Sequence, residues 1–253
     1  MPAKTLHHSL LKPLDLFRSL SDAELDQALE HAQTHRLLPG DHAFKQGESA
    51  SRFFVLLHGH LKVVQNTPDG EQIIVRYVNP GDIFGIAKAM RRPDYPASVY
   101  AVKESIALSW PSSEWERLLG SNPAFAANTL QTVGQRLQDA HTRIQELSTE
   151  EVEQRIARAL LRLIDQSGSK TPEGVVIDFP ITRQDIAEMT GTTLHTVSRL
   201  LSNWKDRGLV QSQRKRIVVC SVDELIRLAE KSSGAPATAG AATQGAAKEN
   251  LKA

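Results

Sequence analysis

A chain of 253 residues, 40% of them hydrophobic, can bury one large or two moderate cores, and its formal net charge of +1 says little until it is divided along the chain. No run approaches the roughly eighteen apolar residues of a membrane span, and "MPAKTLHHSLLKPLDLF" lacks the apolar core and cleavage site of a signal peptide, so a cytoplasmic protein with no membrane partner is expected. The single cysteine, Cys220, excludes an internal disulfide, a Cys-rich zinc site and a cysteine-ligated iron–sulfur cluster, and reads as a small buried hydrophobe on a strand.

From about residue 37 to 110, β-branched and aromatic runs recur: "FFVLL", "LKVVQ", "QIIVRYV", "SVYAV" and "SIALSW". Glycines 40, 47, 59, 70 and 81 punctuate them, accepting the positive φ that tight turns need, and "TPDGEQ" and "NPGD" add turn chemistry. Short strands with regular turns and no helical period between them predict a small jelly roll over residues 1–120.

The period then changes. Leu130, Val133, Leu137, Ala140, Ile144 and Leu147 alternate steps of three and four, a heptad seam on a helix over residues 121–148. Such a helix pairs with its twin through Leu130, Val133, Leu137 and Ile144; an intramolecular core helix would carry the same pattern. "STEE" reads as a capping box for the helix "EVEQRIARALLRLIDQSG", which stops at a glycine and a polar turn. "VVIDFPIT" reads as a strand, "TRQDIAEMT" and "TLHTVSRLLSNWKDR" as two helices about Gly191, and "GLVQSQRKRIVVCS" as a hairpin. Together they predict a winged helix-turn-helix over residues 149–232 and an α+β fold class overall. Residues 233–253, rich in Ala, Gly, Ser and Thr, read as a disordered tail.

Counting Arg183 as the first position of the helix-turn-helix, Ala187 lets the two helices approach and Gly191 takes the sharp turn. Val197, Leu200, Leu201 and Trp204 form the buried stripe of the second helix. That leaves Thr193, His195, Thr196, Ser198 and Arg199 on the opposite face and first turn, the part of a recognition helix that reaches base edges. Arg199 can give two hydrogen bonds to guanine, His195 can donate or accept, Arg183 and Thr193 are expected at phosphates, and Thr182 is a further DNA-binding candidate. Seven Lys/Arg against three acids between Ile181 and Cys220 leave about +4 there, suited to double-stranded DNA. A solvated basic face or a protein-binding winged helix would look the same by count.

At these residues a resemblance becomes specific. "GDHAFKQGESASRFFVLLHGHLKVV" and "NPGDIFG" resemble the cyclic-nucleotide-binding-like β-roll of the CRP/FNR superfamily of bacterial transcription regulators, and "ITRQDIAEMTGTTLHTVSRLL" resembles its winged helix. The likeness spans about residues 15 to 230. It implies a homodimer on a palindromic operator, RNA polymerase as a further partner, and an effector pocket between the β-roll and the long helix. By position, Arg199 corresponds to the base-reading arginine and Ser198 to the serine of the "E..SR" signature, with His195 where the oxygen-sensing relatives have glutamate.

Cyclic AMP binders of that family carry a "GEL" glutamate and, further on, an "RS" pair. Here "FGIAKAMRRPDYPASVYAV" puts Ile86 at the glutamate and Pro96–Ala97 at the pair. A pocket bounded by Phe84, Gly85, Ile86, Pro96 and Ala97 is therefore expected to offer a cyclic phosphate no arginine, and cyclic AMP is not expected to bind. The lone Cys220 also sets the chain apart from cysteine-clustered oxygen sensors. The remaining likeness is to the nitric-oxide and nitrite-respiration regulators (the DNR and NnrR groups), which implies haem in the β-roll and nitric oxide as signal.

Histidines 7, 8, 31, 35, 42, 58, 60, 141 and 195 supply imidazole, and His141, by register on the dimer helix facing the pocket, is the haem-ligand candidate; a solvated helix histidine is the plainer reading. His58–Gly59–His60 raises a cupin-type metal enzyme as an alternative. Gln65 stands where its carboxylate ligand would be needed, and "PGDIFG" has no histidine, so no catalytic residues are expected. A nucleotide-sensing regulatory protein without DNA would leave the winged helix unexplained.

Overall fold

The computed structural model describes residues 8–230; His7 and the expected tail at 233–253 lie outside them. Eight strands build the N-terminal roll: β1 (Gln33–Leu37), β2 (His42–Phe44), β3 (Arg52–His58), β4 (Leu61–Asn66), β5 (Gln72–Val78), β6 (Ile83–Phe84), β7 (Ser98–Ala101) and β8 (Ser105–Pro111). They form two four-stranded antiparallel sheets, ordered β1-β8-β3-β6 and β2-β7-β4-β5. The five apolar runs are β3, β4, β5, β7 and β8. The remaining three give little signal, since β1 buries only Leu37 and β2 and β6 are very short.

Strand β3 shows why its sequence is apolar without alternation. Phe54 and Leu56 point between the sheets, toward Phe44, Phe84 and Val99. Phe53 and Val55 point the other way, onto Trp110 and the helical cap made by α1 (Asp22–Leu29), α2 (Glu114–Ser121) and the start of α3 (Pro123–Thr149). Both faces of the strand are covered, so both want hydrophobic residues. Trp110 Nε1 donates to the Ala28 carbonyl at 2.6 Å and fixes α1 to β8.

α3 runs for 27 residues and begins at a proline, whose missing N–H costs nothing in a first turn. Its expected seam is solvent-facing in the protomer: Leu130 is 73% exposed, Leu137 58% and Ile144 62%, with Val133 and Leu147 also exposed. "STEE" is not a capping box. Ser148 and Thr149 still belong to α3 and donate back to the Ile144 and Gln145 carbonyls. The chain turns at Glu150, and α4 (Val152–Ser167) is started by a box between Glu151 and Gln154.

The winged domain is larger than expected. Gly168 opens a strand rather than a polar turn: β9 (Gly168–Thr171) pairs with β10 (Gly174–Ile177), giving a sheet ordered β11-β12-β10-β9 with β11 (Val210–Gln213) and β12 (Arg216–Val219). Helices α5 (Arg183–Thr190) and α6 (Leu194–Asp206) stand where "TRQDIAEMT" and "TLHTVSRLLSNWKDR" put them. A final helix, α7 (Val222–Glu230), packs on α4 and was not anticipated, although Val222, Leu225, Ile226 and Ala229 carry its spacing. Cys220 lies just past β12 and is only half-buried, so it is not the strand-core residue expected. No helix among the described residues is long and apolar enough to cross a membrane.

Candidate DNA interface and effector cavity

The helix-turn-helix is fixed by its caps and its turn. Thr182 and Asp185 close a reciprocal box at the start of α5: the Thr182 N–H and hydroxyl donate to Asp185 Oδ2 at 2.8 and 2.6 Å, and the Asp185 N–H donates back to the hydroxyl at 3.0 Å. Gly191 ends α5 at φ 60°, a left-handed conformation that favours glycine. Thr193 caps α6 by accepting from the Thr196 N–H at 3.2 Å, and the two hydroxyls lie 3.0 Å apart. Thr182, Thr193 and Thr196 therefore serve first as helix-terminus residues, with their hydroxyls already engaged.

Val197, Leu201 and Trp204 are fully buried beneath α6, with Leu200 partly so. This leaves His195 and Arg199 exposed and without a hydrogen-bond partner among the described residues, with Ser198 beside them half-buried. The wing tip adds Arg214, Lys215 and Arg216; Lys215 takes φ 60°, and its carbonyl accepts from the Ile181 N–H, tying the wing to the entrance of α5. Thr182 and Arg183 are half-buried at that entrance.

The entrance also faces the roll. Lys62 on β4 donates to Asp185 at 2.9 Å, their side chains only 25% and 11% exposed. Burial by itself would raise the Asp185 carboxyl, but hydrogen bonds from Thr182 and Lys62 outweigh it and hold the group below the usual carboxylate range. His60, beyond the Gly59 turn, packs on Phe179 and reaches Ser167 at 2.9 Å, and Val64, Ile74 and Tyr77 of the roll share a core with the winged domain. Arg143 on α3 donates to the carbonyls of both Val75 and Met189. Of these joining residues only His60 stands out in the sequence, and there as a metal-ligand candidate, not as a contact between domains.

Within the roll a cavity of about 130 Å³ opens beside α3, and Phe84, Gly85, Ile86, Pro96 and Ala97 all line it, as the family resemblance implies. Its aromatic wall includes Phe44 stacked on Tyr95, ring centroids 3.7 Å apart. Gly85 sits at φ 70°, and a Cβ there would come within 2.9 Å of the Phe44 ring.

Two expectations about the cavity fail. His141 is exposed and does not line it, because the residue α3 sends there is Arg136, and five positions further on is about 140° around the helix. The cavity also does not lack arginine: Arg76 from β5 joins Arg136 at its edge. Neither belongs to residues 84–97, the stretch where a phosphate partner was sought; the visible signal was a cation inside the apolar run "QIIVRYV" and another inside the heptad stretch. Arg76 donates to the Tyr77 carbonyl and to Asp82, both at 3.1 Å, and Arg136 donates to the Ile83 carbonyl and lies 3.8 Å from Asp82. Desolvation lowers both guanidiniums, Arg136 to about 10, with Asp82 opposing the shift.

A haem would need an axial ligand inside this space. No histidine lines the cavity, and its volume is well below the roughly 300–1,000 Å³ of sites for larger ligands. No group of three or more His, Cys, Asp or Glu among the described residues could hold a metal ion. The residues present do not fit an imidazole-ligated haem at this cavity.

Comparison with known proteins bears on the two halves separately. Residues 34–122 match the cyclic nucleotide-binding domain family, and residues 154–228 match the Crp-like helix-turn-helix domain family. The two matches give the chain a cyclic nucleotide-binding domain followed by a Crp-like helix-turn-helix domain, the pairing found in regulators of the CRP/FNR type. It is 28% identical over 200 residues to the cAMP-activated global transcriptional regulator CRP of Pasteurella multocida, covering 78% of this chain and 95% of the relative. It is 28% identical over 208 residues to the global nitrogen regulator of Synechococcus elongatus, covering 81% and 91%. In fold it is similar to FixK2 from Bradyrhizobium japonicum, with a TM-score of 0.68 and 22% identity over 81% of this chain and 98% of that one. The Pasteurella relative is a transcriptional regulator and residues 154–228 match a helix-turn-helix family, so the cupin-type enzyme and the regulator without DNA are not favoured.

Proposed function

We propose that this chain is a regulator of the CRP/FNR type that acts as a cytoplasmic homodimer whose paired α6 helices read a palindromic operator, with RNA polymerase as its further partner. The observation that carries the reading is the face of α6, where His195 and Arg199 stand exposed and unpaired above a fully buried Val197–Leu201–Trp204 stripe. Exposed unpaired groups are ordinary on a soluble helix; what favours base reading is their place, on the first turns of the second helix of a helix-turn-helix whose wing tip adds Arg214, Lys215 and Arg216. The exposed apolar stripe of α3 supplies the twofold contact. The cavity beside α3 is the effector site in this reading. Cyclic AMP is not its ligand, since Ile86, Pro96 and Ala97 replace the groups that would hold ribose and phosphate, and neither haem nor nitric oxide chemistry has a ligand there.

Selection of bound half-sites from a randomised library at fixed salt tests the DNA reading. Arg199→Ala should flatten the preference at one position by about 1–3 kcal/mol, and His195→Glu should move it at a neighbouring one. Arg183→Ala should instead weaken every sequence alike and reduce the salt slope by about one. An unchanged selected sequence in both α6 variants removes this face as the reader.

A further inference from the structure

Two arginines at the rim of the small cavity have one direct carboxylate partner. Arg76 and Arg136 are only 26% and 23% exposed, and the carboxylate between them is a single one, Asp82, which also accepts from the Asn79 N–H at 2.9 Å. Asp139, the next acid along α3, is exposed, accepts from Gln135 at 2.9 Å and attracts both arginines at longer range without pairing with either. On the outer side the arginines face a wide polar cleft where Asp15 and Arg18 pair with each other at 2.6 Å. Two largely desolvated guanidiniums with one direct carboxylate partner, and a second acid only at longer range and in solvent, favour an incoming anion. On the inner side stands the aromatic and aliphatic cavity of about 130 Å³.

We propose that the cavity takes a small monocarboxylic acid, its apolar body lying among Phe84, Tyr95 and Val99 and its carboxylate on Arg76 and Arg136. The proposal rests on reading the cavity as the effector site and adds the ligand's class. A planar guanidinium matches a carboxylate with two parallel hydrogen bonds, and an apolar enclosure strengthens the pairing. The size of the cavity and its rim of Ile86, Pro96 and Ala97 exclude a nucleotide in the same place. The position also gives the acid something to change. Arg136 belongs to α3, and α3 holds β5 and the end of α5 through Arg143, so an acid that recruits Arg136 acts on the helix that connects roll, seam and DNA-binding domain.

The test titrates the full-length protein with matched acid and amide pairs: benzoate and benzamide, butanoate and butanamide, hexanoate and hexanamide, with cyclic AMP and inorganic phosphate alongside. Calorimetry and thermal shift report binding, and operator affinity is read in the same samples. At least one acid should bind below roughly 1 mM, with its amide at least about tenfold weaker. Arg136→Gln should weaken that acid by at least about tenfold and Arg136→Lys by less, while Arg18→Gln in the outer cleft leaves it unchanged. Arg76→Gln gives a second reading if Arg136→Gln does not fold.

The site is overturned if no acid binds, if amides bind equally, if Arg18→Gln weakens binding as much as Arg136→Gln, or if cyclic AMP or phosphate outcompetes every acid. Acid binding that leaves operator affinity untouched supports the site but refutes the effector reading. No acid binding beside intact operator recognition refutes the site and leaves DNA recognition standing.

Discussion

The Lys62 ammonium lies 2.9 Å from the Asp185 carboxylate, and Asp185 is the residue that caps α5 through Thr182. One carboxylate thus starts the first helix of the helix-turn-helix and holds it to β4 of the roll. Lys62→Met keeps the cap but leaves a mostly buried acid without its cation, at a cost of about 1–3 kcal/mol, between the values for surface and buried pairs. Hydrogen exchange should quicken in α5 and along β4 together; unchanged exchange in both would show that the bridge does not join the domains.

Acid should loosen the same seam. Ser167 donates to Asn79 at 3.0 Å, so His60 Nε2 carries the proton it gives to Ser167, and Nδ1 has no partner. Burial first, and Lys103 and His58 after it, lower the imidazole from 6.5 to about 4, with Asp178 opposing. The folded value lies below the unfolded one, so the stabilisation is complete above pH 6.5 and is lost as pH falls through about 4. The full shift is worth about 3 kcal/mol. Urea unfolding across that window should show a steep loss that His60→Phe flattens; parallel profiles for the two proteins would contradict it.

Leu137→Glu should produce a folded monomer. The residue is 58% exposed in the protomer, so the roll loses nothing, whereas a dimer seam would have to bury a charge at a cost of roughly 3 kcal/mol or more. Sedimentation gives the assembly and circular dichroism the fold. A dimer that survives the change would move the contact off this stripe.

Gly191→Ala should destabilise the winged domain by about 1–2 kcal/mol, since alanine is strained at φ 60° and its Cβ would sit 3.3 Å from Leu147. Denaturant midpoints report the loss, and a change within error would mean that the turn relaxes.

The sequence shows best what is local. Ala187, Gly191, Val197 and Trp204 mark the helix-turn-helix because their roles lie within two adjacent helices, and five lining residues of the cavity are legible because Phe84 to Ala97 is one continuous stretch. Arg76 and Arg136 come from a strand and a helix that only folding brings together, so no spacing announces them. His141 shows the opposite error: it lies on the right helix, but the helical turn between it and Arg136 takes it away from the cavity. Thr193, expected at a phosphate, and Thr182, a DNA-binding candidate, stand at helix starts, where capping claims their hydroxyls first.

Arg136 and Arg143 are seven residues apart on α3, close to two whole turns, and each grips backbone of the roll from that one helix. A single inserted residue between them would swing everything downstream by about 100° and aim Arg143 away from Met189. One added to the exposed Thr67–Gly70 turn would only lengthen a hairpin tip. Insertions and deletions should therefore accumulate at that tip and be absent from α3 unless they come in sevens, so the gene segment encoding this helix keeps its length even where its letters drift.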